Sequence, residues 1–160
     1  MPLEGDHKPQ AFLRTSFNES EARFSPDGRW IAYVSNESGR NEIYLQSYPD
    51  HSGKLQISSD GGDEPVWAHD GRELFYRNTS KMMVAEIINQ PAFKAGKPRL
   101  LFEGRYENLS WEANYDVSPD GQKFLMLKSL DDTPPNQINI VLNWYEELKH
   151  RAGSGAGKTR

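Results

Sequence analysis

A four-residue turn ending in glycine occurs three times in this chain, and its recurrence constrains the fold more than any other feature. The turn stands at residues 25–28 (SPDG), 68–71 (AHDG) and 118–121 (SPDG). Its glycines are 43 and then 50 residues apart, a spacing that falls within the period of repeat proteins built from blades. One such turn in a polar loop would carry little weight. Three in matching surroundings predict an internal repeat.

The residue types of the turn follow from its geometry. Proline presets φ for the second position of a type I turn, and aspartate tolerates the third. Glycine then takes the left-handed conformation that completes a three-residue hairpin loop. The residues predicted to form the turns are Asp27 and Gly28, Asp70 and Gly71, and Asp120 and Gly121.

Each turn lies between two strand-like segments, and further strand-like segments follow. The runs at 30–34 (WIAYV) and 124–127 (FLML) are apolar at consecutive positions, which predicts sheets covered on both faces. Short strands in turn-rich, repeated, stacked units predict an all-β propeller rather than a sandwich. The predicted strands are 22–24, 29–34, 42–47 and 54–58, then 65–67, 72–76, 82–88 and 97–102, then 115–117, 122–127 and 138–144.

The sequence therefore predicts three four-stranded blades within residues 1–149, half of a six-bladed ring. The third unit lacks an obvious fourth strand, whereas residues 8–14 (KPQAFLR) resemble the fourth strand of a preceding unit. We expect a short helical turn at 145–149 and a flexible tail at 150–160, where glycine and serine dominate. The predicted blades are 15–58, 59–103 and 104–144, with 8–14 as a blade-closing strand.

These repeats resemble those of TolB-type β-propellers, over roughly residues 5–149. The resemblance rests on 24–33 (FSPDGRWIAY), 41–44 (NEIY) and 61–67 (GGDEPVW). It implies the C-terminal blades of a propeller like those fused to bacterial serine/threonine kinases or preceding the hydrolase domain of prolyl-oligopeptidase-type peptidases. It is compatible with a parent protein in the periplasm or another extracytoplasmic compartment, but it assigns no compartment to this chain. Such propellers usually have six or more blades, whereas this chain has three. No kinase motif is present in the sequence, so the resemblance does not imply kinase activity.

Composition excludes several functional classes. The net charge of −4 and the pI near 5.6 argue against a nucleic-acid partner. Without cysteine there is no disulfide, thiolate metal site or cysteine nucleophile. No apolar run approaches the roughly 20 residues of a membrane span, and the first residues lack the apolar core of a signal peptide. Neither nucleic acid nor membrane is an expected partner.

The search for catalytic motifs is also negative. Residues 152–159 (AGSGAGKT) satisfy a permissive P-loop pattern, but that loop needs a strand before it and a helix after it. The four histidines are isolated, and no nucleophile elbow occurs in a strand-to-helix context. Asp60, Asp63 and Glu64 are predicted to form a polar loop between blades rather than a cation site. We therefore expect no cofactor, no metal and no enzymatic activity.

A binding surface is predicted where the loops between blades converge on one mouth of the propeller. Acidic side chains and two aromatic residues fall in these loops, and loops on a rigid scaffold commonly carry binding function. The two aromatic side chains have an alternative role, packing onto the neighbouring blade. The candidate ligand-contact residues are Glu21, Asp63, Glu64, Tyr106, Trp111 and Glu112.

The function that this pattern favours is a non-catalytic module that binds a protein or peptide. Two alternatives stay open: a sensing or gating part of a larger hydrolase or kinase, and a propeller fragment of unknown function. Because three blades make half a ring, we also expect a two-fold homodimer that completes six blades. In that dimer, residues 8–14 of one chain would pair with residues 138–144 of the other.

Overall fold

A computed structural model describes residues 8–88, 92–107 and 113–128. Within these ranges the chain is all-β, with antiparallel strands and no helix, as the sequence predicts. No segment of these ranges is a helix long and apolar enough to cross a bilayer. The strands are β1 (Glu19–Phe24), β2 (Trp30–Ser35), β3 (Glu42–Ser47), β4 (Lys54–Gln56), β5 (Asp63–Trp67), β6 (Glu73–Asn78), β7 (Lys81–Ile88), β8 (Lys94–Ala95), β9 (Arg99–Glu103), β10 (Tyr115–Val117) and β11 (Phe124–Met126).

The first blade is a meander of four strands in the order β1-β2-β3-β4. The register pairs Tyr33 with Tyr44 and Trp30 with Ser47 along the central two strands. Strand β1 starts three residues earlier than the sequence indicates. A bulge between Ser20 and Arg23 divides the strand, so its first half does not continue the simple pattern of the second.

The second blade has a divided outer edge. Strands β5, β6 and β7 form the meander, and the eight residues of β7 are long enough to pair with two short strands. Strand β9 pairs with 81–84 and β8 with 87–88. The sequence predicts the strand at 97–102, observed as Arg99–Glu103, but gives no sign of β8.

The third blade is described only through β10 and β11, which pair in antiparallel register. Strand β11 covers three residues of the predicted run at 122–127. The predicted strand at 138–144, the helical turn at 145–149 and the tail at 150–160 lie outside the described residues.

Residues 8–14 form no strand within the single chain. The ring of Phe12 stacks on the imidazole of His51, with centroids 4.4 Å apart, and lies 5.6 Å from the ring of Tyr48. The segment therefore contacts the first blade of its own chain, and its pairing with a second chain is a proposal.

The three repeated turns share one geometry. Gly28, Gly71 and Gly121 have φ values of 71°, 70° and 69°. In each turn the glycine N–H donates to the carbonyl three residues earlier, at 2.8 to 2.9 Å. The Oδ1 atom of the aspartate before each glycine accepts the main-chain N–H of the residue that follows the glycine, at 3.0 to 3.1 Å. The second turn keeps this geometry with Ala68-His69 in place of Ser-Pro.

Two apolar clusters explain why the central strands are apolar at consecutive positions. In β6, Leu74 and Tyr76 pack into a cluster shared with the first blade, which includes Val34 of β2. Phe75, between them, packs into a second cluster with Tyr115 of the third blade. Since side chains alternate along a strand, the second blade buries apolar residues against both the first and the third blade.

Candidate functional site

Glutamate carboxylates link the inner strands of successive blades. Two of the predicted ligand-contact residues, Glu21 and Glu64, provide these carboxylates. Glu21 and Glu64 lie seven residues before the turn glycines of their blades, at bulges, with φ values of 54° and 57°. Oε2 of Glu21 accepts the main-chain N–H of Glu64. Oε2 of Glu64 accepts the N–H of Asn114, which holds the equivalent place in the third blade, at 3.0 Å.

The surroundings of Glu64 remove it from the accessible surface. Its side chain is 2% exposed and lies 3.9 Å from the guanidinium of Arg77, which is 3% exposed. The hydroxyl of Tyr115 donates to the main-chain oxygen of Glu64 at 2.8 Å, and burial raises the pKa of Tyr115 well above its usual value. The Glu64 carboxylate thus lies in a buried link between blades, and its role as a ligand contact stays a prediction.

Arg77 extends this link between blades. Its guanidinium donates to the main-chain oxygens of Thr79 at 3.0 Å, of Tyr106 at 3.3 Å and of Glu107. Sequence reasoning missed Arg77 and Asn114. The available signal was positional, because Glu21, Glu64 and Asn114 all stand seven residues before a turn glycine.

Glu21 and Asp63 remain partly accessible. Desolvation by burial raises the pKa of Glu21, the N–H of Glu64 opposes this, and the nearby charges of Asp63 and Glu64 add to the rise. Oδ1 of Asp63 accepts from the side-chain amide of Asn41 at 2.9 Å. The structure thus brings Glu21, Asp63 and Glu64 together, but as a linked structural group.

The aromatic part of the predicted surface is described only in part. Tyr106 is half-buried, and its ring makes an edge-to-face contact with Phe102 at 6.0 Å. This is the packing role that the sequence left open as the alternative. Trp111 and Glu112 lie outside the described residues.

The polar loop after β4 is held by its own contacts. Buried Glu42 accepts from the Arg40 guanidinium at 2.8 Å, from the N–H of Gly61 at 3.0 Å and from the Ser58 hydroxyl. The Asp60 carboxylate lies 3.3 Å from Arg40. In the part of the chain that the structure describes, no group of three or more His, Asp or Glu residues is placed to hold a metal ion.

A groove of about 660 Å³ lies on the face of the first blade that points away from the second. We call it the first-blade groove. The phenyl ring of Phe24 is 57% exposed there and meets the ring of Tyr48 edge-to-face at 5.1 Å. Ile31 and Tyr33 of β2 and Phe12 of the N-terminal segment also line it. Three blades of a six-bladed ring predict an apolar face at each end, but the residue types alone do not show which side chains form it, because the same types are typical of a buried core.

The third blade presents a second uncovered apolar face. Leu125 is 72% exposed and Leu127 is 51% exposed. Phe124 and Met126, which alternate with them, pack into the cluster shared with the second blade. Both ends of the described array therefore carry exposed apolar side chains.

Comparison with known proteins gives a likeness to a solved structure. No family model matches the chain, and no curated protein matches it. The fold is similar to the crystal structure of TolB from Acinetobacter baumannii, with a TM-score of 0.42 and 17% sequence identity. The similarity covers 79% of this chain and 42% of the TolB chain, so this chain spans less than half of that protein's length.

Proposed function

We propose that this chain is a non-catalytic, protein-binding propeller module whose partner is a second copy of itself. The observation that carries the proposal is the pair of apolar surfaces at the two ends of the described array, the first-blade groove and the Leu125–Leu127 face. Contiguous apolar surface on a folded domain commonly marks an interaction site.

The positions that the residues of these two faces hold in the repeat indicate which face meets which. Ile31 and Tyr33, in the groove, occupy the places that Leu74 and Tyr76 hold in the second blade. Leu74 and Tyr76 are buried against the blade that precedes them. The first-blade groove is therefore the kind of face that receives a preceding blade.

The Leu125–Leu127 face of the third blade is the kind of face that packs onto a following blade. Leu125 occupies the position of Ala32 in the first blade and Phe75 in the second. Ala32 and Phe75 are each buried in the cluster shared with the following blade. Leu125 is thus on the face that packs onto a following blade. In the proposed dimer, the first blade of the second copy is that following blade, and its first-blade groove contacts Leu125.

Two copies related by a two-fold axis make this contact twice. Three blades from each chain give six, within the range of about four to eight found in closed propellers. Closed two-fold assembly also leaves neither face uncovered, whereas a non-closing contact would continue into a filament.

Light scattering tests the proposal. The wild-type chain should have about twice the 18.3 kDa mass of one copy. Phe24→Asp and Leu125→Asp should each give monomers, because a buried unpaired carboxylate opposes either contact. Phe17→Asp is the matched control, since Phe17 is 45% exposed and is not among the residues that line the groove.

A mixture of the two variants separates the head-to-tail ring from other dimers. Phe24→Asp spoils one face of its chain and Leu125→Asp spoils the other, so a mixed pair keeps one intact contact. The mixture should therefore form dimers more readily than either variant alone. A dimer that survives Leu125→Asp, or a wild-type monomer at all concentrations, contradicts the proposal.

A further inference from the structure

A second cavity, of about 270 Å³, lies between the first and second turns of the repeat. We call it the turn cavity. Pro26 and Gly71 stand on its two sides, and a Cβ on Gly71 would lie 3.6 Å from the proline ring. The cavity is separate from the first-blade groove, and no residue lines both.

Aromatic rings form much of the cavity wall. The indole of Trp30 stacks on the ring of Phe93, with centroids 3.6 Å apart and planes inclined by 16°. The indole N–H of Trp67 donates to the main-chain oxygen of Arg23 at 3.3 Å, which fixes that ring. These contacts hold the aromatic groups in place before any ligand arrives.

Two carboxylates stand on the same cavity. Asp27 and Asp70 belong to the two turns, and each binds turn groups through Oδ1. Asp70 also lies 3.9 Å from the guanidinium of Arg72, but both side chains are exposed, so that pair is weak. No lysine or arginine is among the described residues that line the cavity.

We propose that the turn cavity binds an arginine side chain presented by a peptide segment of a protein partner. A guanidinium stacks on indole faces and pairs with carboxylates, and the cavity offers both kinds of group. Its volume is slightly below the roughly 300 to 1,000 Å³ of pockets for drug-sized ligands, which suits a single side chain.

A neighbouring cavity at the second turn shows what the turn cavity lacks. That cavity, of about 300 Å³, contains Glu73 where the first turn has Trp30, and the chain supplies its own cations there. Arg99 lies 3.5 Å from Glu73 in this cavity. Arg72 and Arg99 therefore place positive charge of the chain itself in this cavity, whereas no described lysine or arginine lines the turn cavity.

The test uses short peptides and the full chain. The probe is acetyl-Gly-Gly-Arg-Gly-Gly-amide, and the comparison peptides carry citrulline or lysine in place of arginine. We expect saturable shifts of the Trp30 and Trp67 indole N–H signals in NMR spectra with the arginine peptide. The lysine peptide should bind more weakly, and the neutral citrulline peptide should cause no saturable shift.

Variants of the turn aspartates separate binding from turn structure. Asp27→Asn with Asp70→Asn keeps an oxygen acceptor in both turns and removes both charges, and should weaken binding at least about fivefold. Asp120→Asn is the matched control, because Asp120 makes the same bonds to Ser118 and Gln122 without lining the cavity. Unfolding curves establish whether each variant folds. If a variant does not fold, the dependence on charge is tested on the wild-type chain instead, where added salt should weaken peptide binding.

Three outcomes would overturn the proposal. The first is equal binding of the citrulline and arginine peptides. The second is an equal loss of affinity in the Asp120→Asn variant. The third is the absence of a saturable shift up to about 10 mM arginine peptide, beyond the weakest affinity expected of one anchored side chain.

Discussion

At the scale of single residues, two of the glutamates predicted to meet a ligand, Glu21 and Glu64, connect the blades. Glu21 accepts the N–H of Glu64, and Glu64 accepts the N–H of Asn114. Because these bonds join residues 43 and 50 positions apart, each ties the start of one blade to the next. Glu64 and Arg77 are both buried, so loss of either would leave the other charge uncompensated in the interior.

Glu21 is expected to make the stability of the protein depend on pH. Burial raises its pKa in the folded state above the ordinary value of 4.5, so the folded chain favours the protonated form. The stability that this contributes is fully present below about pH 4.5 and is lost as pH rises through the raised pKa.

Glu21→Gln should therefore reduce that loss, since the amide oxygen still accepts the N–H of Glu64 and carries no charge. Denaturant unfolding measured from pH 4 to pH 8 checks this, with Glu19→Gln on the same strand as the control. An unchanged pH profile in the Glu21 variant would show that its carboxylate is not the group responsible.

At the scale of elements, the hairpin turn is the part of the repeat whose structure depends most on particular residue types. The positive φ of Gly28 and Gly121 is one that residues with a Cβ rarely adopt. A Cβ built at either position meets nothing within 4 Å, so any penalty comes from the backbone conformation and not from a clash.

Gly28→Val and Gly121→Val should each lower the free energy of unfolding by about 1 to 3 kcal/mol. Thermal or denaturant unfolding gives the measurement. Gly153→Val and Gly155→Val, in the predicted flexible tail, are the controls and should change stability very little. Equal stability of all four variants would contradict the role assigned to the turn.

At the scale of the whole molecule, the first-blade groove and the N-terminal segment are in contact. Residues 10–13 line the first-blade groove in the single chain, so in the proposed dimer a second copy that packs there would displace them. Displacement would free residues 8–14 for the proposed pairing with residues 138–144 of the other chain. Pro9 suits an outermost strand, whose outer edge requires no hydrogen-bond donor.

Deletion of residues 1–14 should accordingly produce dissociation or aggregation of the dimer, as seen by light scattering. The physical reason is that the outer edge of the last blade would lose its closing strand and stay open. A deletion variant that remains a stable dimer would show that this segment does not close the ring. Phe12→Ala, which removes only the ring on His51 and Tyr48, separates the loss of that contact from the loss of the strand.

The sequence by itself determined the all-β class, the repeat, and the strands that flank each turn. These features depend on local chemistry: glycine where φ is positive, and apolar residues at consecutive positions of doubly covered strands. The tertiary structure decided which acidic residues are buried, because a glutamate in a loop and a glutamate that joins two blades have the same sequence appearance. It also decided that Phe24 and Leu125 are exposed, since burial depends on which blade lies beside each face and not on the side chain itself.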